Sequence, residues 1–168
     1  MNWETVICQY IDHLTYVERK AKLTQQSYRS DLKQFQCYFE EKGIAFDDVD
    51  TTTLNAMIIA MSSEKSNASI LRMISSIKGL YGFVSRIDET HADPTVNMVS
   101  VSKRKRIPKI VPTSEVNDLL ISDVNSHMGL DLALIDLLYS CGLRVSELTT
   151  LKLNQVFLDD GYLRIIGK

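Results

Sequence analysis

Arg144 and Glu147 stand three residues apart in the run Gly142-Leu143-Arg144-Val145-Ser146-Glu147-Leu148, and Lys168 closes the later run Leu163-Arg164-Ile165-Ile166-Gly167-Lys168. An arginine carries a planar fork of donors that matches the oxygens of a phosphate or a carboxylate, whereas a lysine is a point charge that can also deliver a proton. The spacing predicts that Arg144 lies in the first turn of a short helix, where unpaired backbone N–H groups and the helix dipole already favour an anion. A cation placed there is unfavourable unless an anion compensates it. Glu147, three residues on, shares its face and can hold the guanidinium. Two readings stand side by side: an ordinary surface ion pair, and an anion-binding arginine oriented by a carboxylate. For an isolated R-x-x-E the first is the better one.

The elements that would position these residues can be read outward from them. Leu130 to Tyr139 is apolar on nearly every face and predicts a buried core helix, broken at Cys141-Gly142. Gln155 to Asp159 and Tyr162 to Ile166 flank Asp160-Gly161, a strong hairpin signal. Toward the N-terminus, Trp3, Ile7, Tyr10, Ile11, Leu14 and Val17 recur at helical spacing over residues 2 to 20, and Arg19 to Lys22 closes that helix with positive charge. A second helix is expected behind Thr24 as N-cap, with Leu23 and Tyr28 as a hydrophobic staple and Tyr28, Leu32, Phe35 and Phe39 inward. Its polar face carries Gln25, Arg29, Lys33 and Gln36. A third helix follows the acidic, cap-rich stretch Asp47 to Thr53 and runs through Met57, Ile58 and Met61. The fourth spans Ala68 to Ile87, with Ile70, Met73, Ile74, Ile77, Leu80, Tyr81 and Val84 inward. Its other face presents Ser69, Arg72, Ser76 and Gly79, with Lys78 beside them. Small residues would let such a strip approach a sugar–phosphate backbone, and the cations would neutralise phosphates.

Composition sets the bounds. The 168 residues allow one or two small domains of ordinary soluble character. A net charge of -2 does not mark a nucleic-acid binder, so any such role rests on local charge. Local charge is concentrated: Lys103, Arg104, Lys105, Arg106 and Lys109 lie within seven residues, leaving 14 basic residues against 21 acidic ones elsewhere. Such a run is commonly a solvated hinge held open by self-repulsion. Cys8, Cys37 and Cys141 form no C-x-x-C pair, which argues against a zinc site or a disulfide framework and for a reducing, cytoplasmic setting. Each is simplest as a small core hydrophobe. No apolar run reaches membrane-spanning length, and the N-terminus lacks a signal-peptide layout.

Taken together, G-L-R-V-S-E-L after an apolar helix, then L-K-L, a hairpin and a terminal I-G-K resemble the start of the catalytic domain of tyrosine recombinases, of the Xer and phage-integrase kind. The likeness extends upstream. L-T-x-x-S-Y-x-x-D-L from Leu23 to Leu32 and S-I-x-R-x-x-S-S-I-K-x-x-Y from Ser69 to Tyr81 resemble the second and fourth helices of that family's core-binding domain. Pro108-Lys109 and Ser114 to Leu120 resemble its entry into the catalytic domain, with Pro112 where a capping Ser usually sits; proline suits a first helical position.

The resemblance implies a mainly α chain: a four-helix SAM-like core-binding domain over 1–94, a basic linker over 95–112, and over 113–168 a truncated α+β catalytic domain ending in a β-hairpin. It implies catalytic roles for Arg144 and Lys168, support by Glu147, and double-stranded DNA as partner. The DNA would be held by Thr24, Tyr28, Arg29, Ser69, Arg72, Ser76, Lys78, Lys103, Arg104, Lys105, Arg106 and Lys109, and the complete enzyme would assemble as a tetramer on paired sites. No metal, cofactor, small-molecule substrate or membrane is expected. The family's H-x-x-R and nucleophilic tyrosine would lie downstream of the hairpin; after Arg144 the chain has no His, and its one Tyr is Tyr162. Two other readings remain open: a non-catalytic DNA-binding protein that occupies recombination sites, and a helical protein-interaction module.

Overall fold

The computed structural model describes residues 1–98, 110–121 and 129–165. It divides into two compact units, Met1–Lys105 and Arg106–Lys168, taken here in turn.

In the first unit, Asn2 caps helix α1 (Trp3–Asp12) by accepting from the Glu4 N–H at 2.9 Å. Trp3, Val6, Ile7, Tyr10 and Ile11 face the core. The helix then runs into a π-helical stretch, His13–Val17, in which Glu18 N reaches back five residues to His13 O. Leu14 stays buried, but Val17, expected in the apolar stripe, is 67% exposed. The wide turn takes up one extra residue, so whatever follows it is rotated off the face that the α period sets. Arg19 adopts a left-handed backbone (φ 50), and Lys20 N closes the helix on Leu14 O.

Helix α2 (Lys22–Glu40) begins two residues before the expected cap. Thr24 lies inside the first turn, its N–H bonded to Ala21 O, and Leu23 is exposed instead of stapling. Here the left-handed residue at Arg19 turns the chain straight into the next helix. Gln25 Nε2 bonds Lys20 O in the connecting loop, so no side-chain cap is used. Leu32, Phe35 and Phe39 are buried as the spacing predicts.

A short 3-10 turn, Phe46–Asp48, inserts Phe46 between Trp3 and Tyr81 at ring separations of 5.0 Å each. Helix α3 (Thr51–Ser62) starts on a full capping box: Thr53 N donates to Asp50 Oδ1, and Asp50 N donates to Thr53 Oγ1. Helix α4 (Asn67–Ile87) is capped by Ser66 and buries the expected stripe, with Phe83 added. Cys8 and Cys37 are exposed, as is Cys141 in the second unit, so none is a core residue. All three sit on faces that the neighbouring apolar side chains leave outward. The four helices share one hydrophobic core around this aromatic centre. Residues 1–105 alone are therefore expected to show helical circular dichroism and a single cooperative melt; a broad, non-cooperative loss of signal would count against it.

In the second unit, the Pro112 carbonyl accepts from Glu115 N and Val116 N at the head of α5 (Thr113–Ile121). Next come α6 (Gly129–Cys141), α7 (Val145–Thr149), a 3-10 turn (Leu153–Gln155) and a hairpin of β1 (Val156–Phe157) and β2 (Tyr162–Leu163). The strands are antiparallel, pairing Val156 with Leu163 and Phe157 with Tyr162, and are shorter than predicted. Gly161, at φ 67, takes the left-handed turn position. Contrary to expectation, none of the described side chains of α6 is buried. A five-residue helix and two-residue strands offer too little apolar surface to enclose a helix of 13 residues.

Candidate functional site

Helix α6 stops at Cys141 because Gly142 turns left-handed at φ 61, the usual chemistry of a helix C-terminus. Two residues later Arg144 is extended (φ -73, ψ 148) and stands at the N-cap of α7, not within its first turn as the spacing suggested. Glu147 ties the position down with both carboxylate oxygens. Oε2 accepts from the Arg144 backbone N–H at 2.9 Å, and Oε1 accepts from Arg144 Nη1 at 2.6 Å. One side chain thus caps the helix, offsets a cation at its positive end and fixes the direction of the guanidinium. The Arg144 side chain remains 79% exposed while Glu147 is largely covered. What results is a cation held from one side and open on the other.

The Arg144 backbone N–H, then its side-chain hydrogen bond and charge, hold the Glu147 carboxyl below the usual carboxylate range. A depressed folded pKa means that this contribution is present above the ordinary glutamate pKa and lost as pH falls through the lowered one. In an NMR titration Glu147 is expected to titrate below the ordinary glutamate value, and Arg144→Ala should move it back toward that value. An unchanged midpoint in that variant would dissociate the two residues.

The expected strip on α4 is redrawn. Ser76 is 0% exposed and its Oγ bonds Met73 O, so it cannot reach a ligand. A Cβ on Gly79 would stand 2.0 Å from Tyr10 Oη, so glycine serves the close approach of α1 and α4, not of a nucleic acid. Arg72 is committed as well. Its Nε and Nη2 donate to Asp31 Oδ2 and Oδ1 at 2.8 and 2.9 Å, tying α4 to α2. Asp31 stands in the S-Y-x-x-D-L run, but its partner lies 41 residues along the chain, so no local pattern marks the pair. Ser69 is half-buried against Ser66; Thr24 and Tyr28 are half-buried; Arg29 and Lys78 are exposed. Lys103, Arg104, Lys105, Arg106, Lys109 and Lys168 lie outside the described residues. Among the described residues no helix is long and apolar enough to cross a membrane.

Residues 7–87 match the phage integrase N-terminal SAM-like domain, and the match ends on the last residue of α4. The protein TTE1313 of Caldanaerobacter subterraneus is 34% identical over 163 residues, 95% of this chain and 56% of its own length. Tyrosine recombinase XerC of Pseudomonas fluorescens is 32% identical over 95% of this chain and 55% of its own. Tyrosine recombinase XerD of Staphylococcus haemolyticus is 31% identical over 98% of this chain and 57% of its own. The chain carries the SAM-like domain of phage integrases and is a homologue of the Xer tyrosine recombinases. Among solved structures, the crystal structure of XerA recombinase is similar at a TM-score of 0.47 and 19% identity, over 99% of this chain and 56% of that one. As an Xer homologue the chain pairs a helical SAM-like domain with a smaller unit that carries Arg144, and it spans little more than half the length of the curated relatives it matches.

Proposed function

We propose that the chain is the DNA-clamping portion of a site-specific tyrosine recombinase, and that Arg144 is its phosphate-binding arginine. The observation that supports this reading most is the Arg144–Glu147 geometry: a guanidinium anchored by one Nη atom and otherwise open to solvent. In the strand-cleavage reaction of such an enzyme, a tyrosine hydroxyl attacks the phosphorus, the bond to the 5′ oxygen breaks, and that oxygen leaves with a proton. Negative charge builds on the non-bridging oxygens in the transition state. Arg144 would offer its remaining N–H donors to those oxygens, and Glu147 would keep it aimed. Lys168 would supply the proton to the leaving oxygen. The basic run from Lys103 to Lys109 would be the strap by which the chain clamps the duplex. Assembly of the complete enzyme as a tetramer on paired sites belongs to the same proposal.

The test is a fluorescence-anisotropy titration of labelled duplex. Binding is expected to weaken steeply with salt, and reversing the charges at Lys103, Arg104, Lys105 and Arg106 should cost at least about tenfold on every sequence alike. Unchanged affinity, or a loss on one sequence only, would refute the strap.

A further inference from the structure

Beside Glu147 lies a cleft of about 420 Å³ whose walls include Lys152, Gln155 and Arg164. Gln155 is the organising residue. Its side-chain Oε1 accepts from Lys152 N at 2.9 Å, and its Nε2 donates to Arg164 O at 3.1 Å. Its main chain repeats both links, with Gln155 N donating to Lys152 O at 2.9 Å and Gln155 O accepting from Arg164 N at 2.8 Å. Four hydrogen bonds therefore bracket residue 152 to residue 164, across the 3-10 turn and the hairpin.

The bracket brings two cations to one concavity. Like charges at one site repel, and their convergence costs free energy that a bound anion would recover. The anion already in the wall does not do so: both Glu147 oxygens are taken by Arg144. Among the described residues, neither Lys152 nor Arg164 makes an ion pair. Both side chains are exposed. A cleft open to solvent, with two unneutralised cations on a fixed frame, has the character of a phosphate seat.

We propose that Lys152 and Arg164, bracketed by Gln155, form a second phosphate-binding site that takes a backbone phosphodiester of the same duplex whose phosphate Arg144 holds. This rests on the recombinase reading above and deepens it. Gln155 is a positioning residue. Its amide is spent on the two backbones, so it acts by keeping the cations together.

The experiment compares the 168-residue chain with Lys152→Gln, Arg164→Gln, the double variant, Lys152→Arg and Gln155→Ala, measuring affinity for labelled duplex over a salt series. The slope of log affinity against log salt is expected to fall in magnitude by about one for each single neutralisation and about two for the double variant, equally on unrelated sequences. Lys152→Arg should keep the wild-type slope. Gln155→Ala, with every charge retained, should weaken binding, which a role of the cations independent of the bracket would not produce. Wild-type binding with an unchanged slope in the double variant would overturn this site alone, as would a loss confined to one DNA sequence. No salt-dependent binding by the wild type would overturn the recombinase reading and the site together.

Discussion

On a nicked recombination-site duplex, which traps covalent intermediates, the 168-residue chain is expected to bind and to form no adduct. In the proposed roles Arg144 would compensate charge and Lys168 would donate a proton, yet neither supplies the oxygen that must attack phosphorus. After Arg144 the only phenol is Tyr162. It sits in β2 with its ring stacked on Phe157, centroids 4.5 Å apart and planes 15° from parallel. That cross-strand pair holds a hairpin of only two residues a side, so the ring has structural work in its present position. Water could replace the nucleophile in principle, but a single arginine would leave much of the transition-state charge uncompensated. The measurement is a denaturing gel of labelled suicide substrate. A protein–DNA adduct that vanishes in Tyr162→Phe would refute the expectation by revealing an improvised nucleophile.

The second large effect is on stability. Arg72→Ala is expected to destabilise the helical unit by about 2–3 kcal/mol, because it strands a carboxylate that is 2% exposed. The figure stays below that of a fully buried pair because the Arg72 side chain is 48% exposed and partly screened. For a domain of about 100 residues, this corresponds to a fall in Tm of roughly 10 °C or more. Removing Asp31 in the same background should recover part of the loss, since it takes away the stranded charge. The check is urea or thermal unfolding of residues 1–105 in the single and double variants. A variant of wild-type stability with sharply reduced DNA affinity would instead return Arg72 to the role of a phosphate contact.

What could be read from the chain follows the range of the forces involved. The four helices of the SAM-like domain and the hairpin turn at Asp160-Gly161 follow from short-range periodicity and turn chemistry, whereas the π-helical end of the first helix and the uncapped start of α2 do not. The Arg144–Glu147 bond was equally legible, because both partners lie within one turn. Asp31 with Arg72 was not, since 41 residues separate them and only packing of α2 on α4 joins them. Phe46 lies outside every periodic stripe and yet is the centre of the aromatic core, because its burial depends on Trp3 and Tyr81 arriving from two other helices. Ser76 and Gly79 have the small side chains of a backbone-approaching strip; helix–helix contact asks for the same residues, so composition could not separate the two uses.

The π turn at His13–Val17 also bears on how chain length can vary in this fold. Elsewhere in an α-helix, gaining or losing one residue rotates every later side chain by about 100° and moves the apolar face out of the core. At this turn one residue is already held in surplus between the core-facing run that ends at Leu14 and the left-handed exit at Arg19. Dropping it would restore α pitch while leaving the faces on either side in phase. Single-residue gaps in alignments of related chains are therefore cheapest between His13 and Val17. A gap placed between Trp3 and Asp12 would require the whole aromatic core to repack.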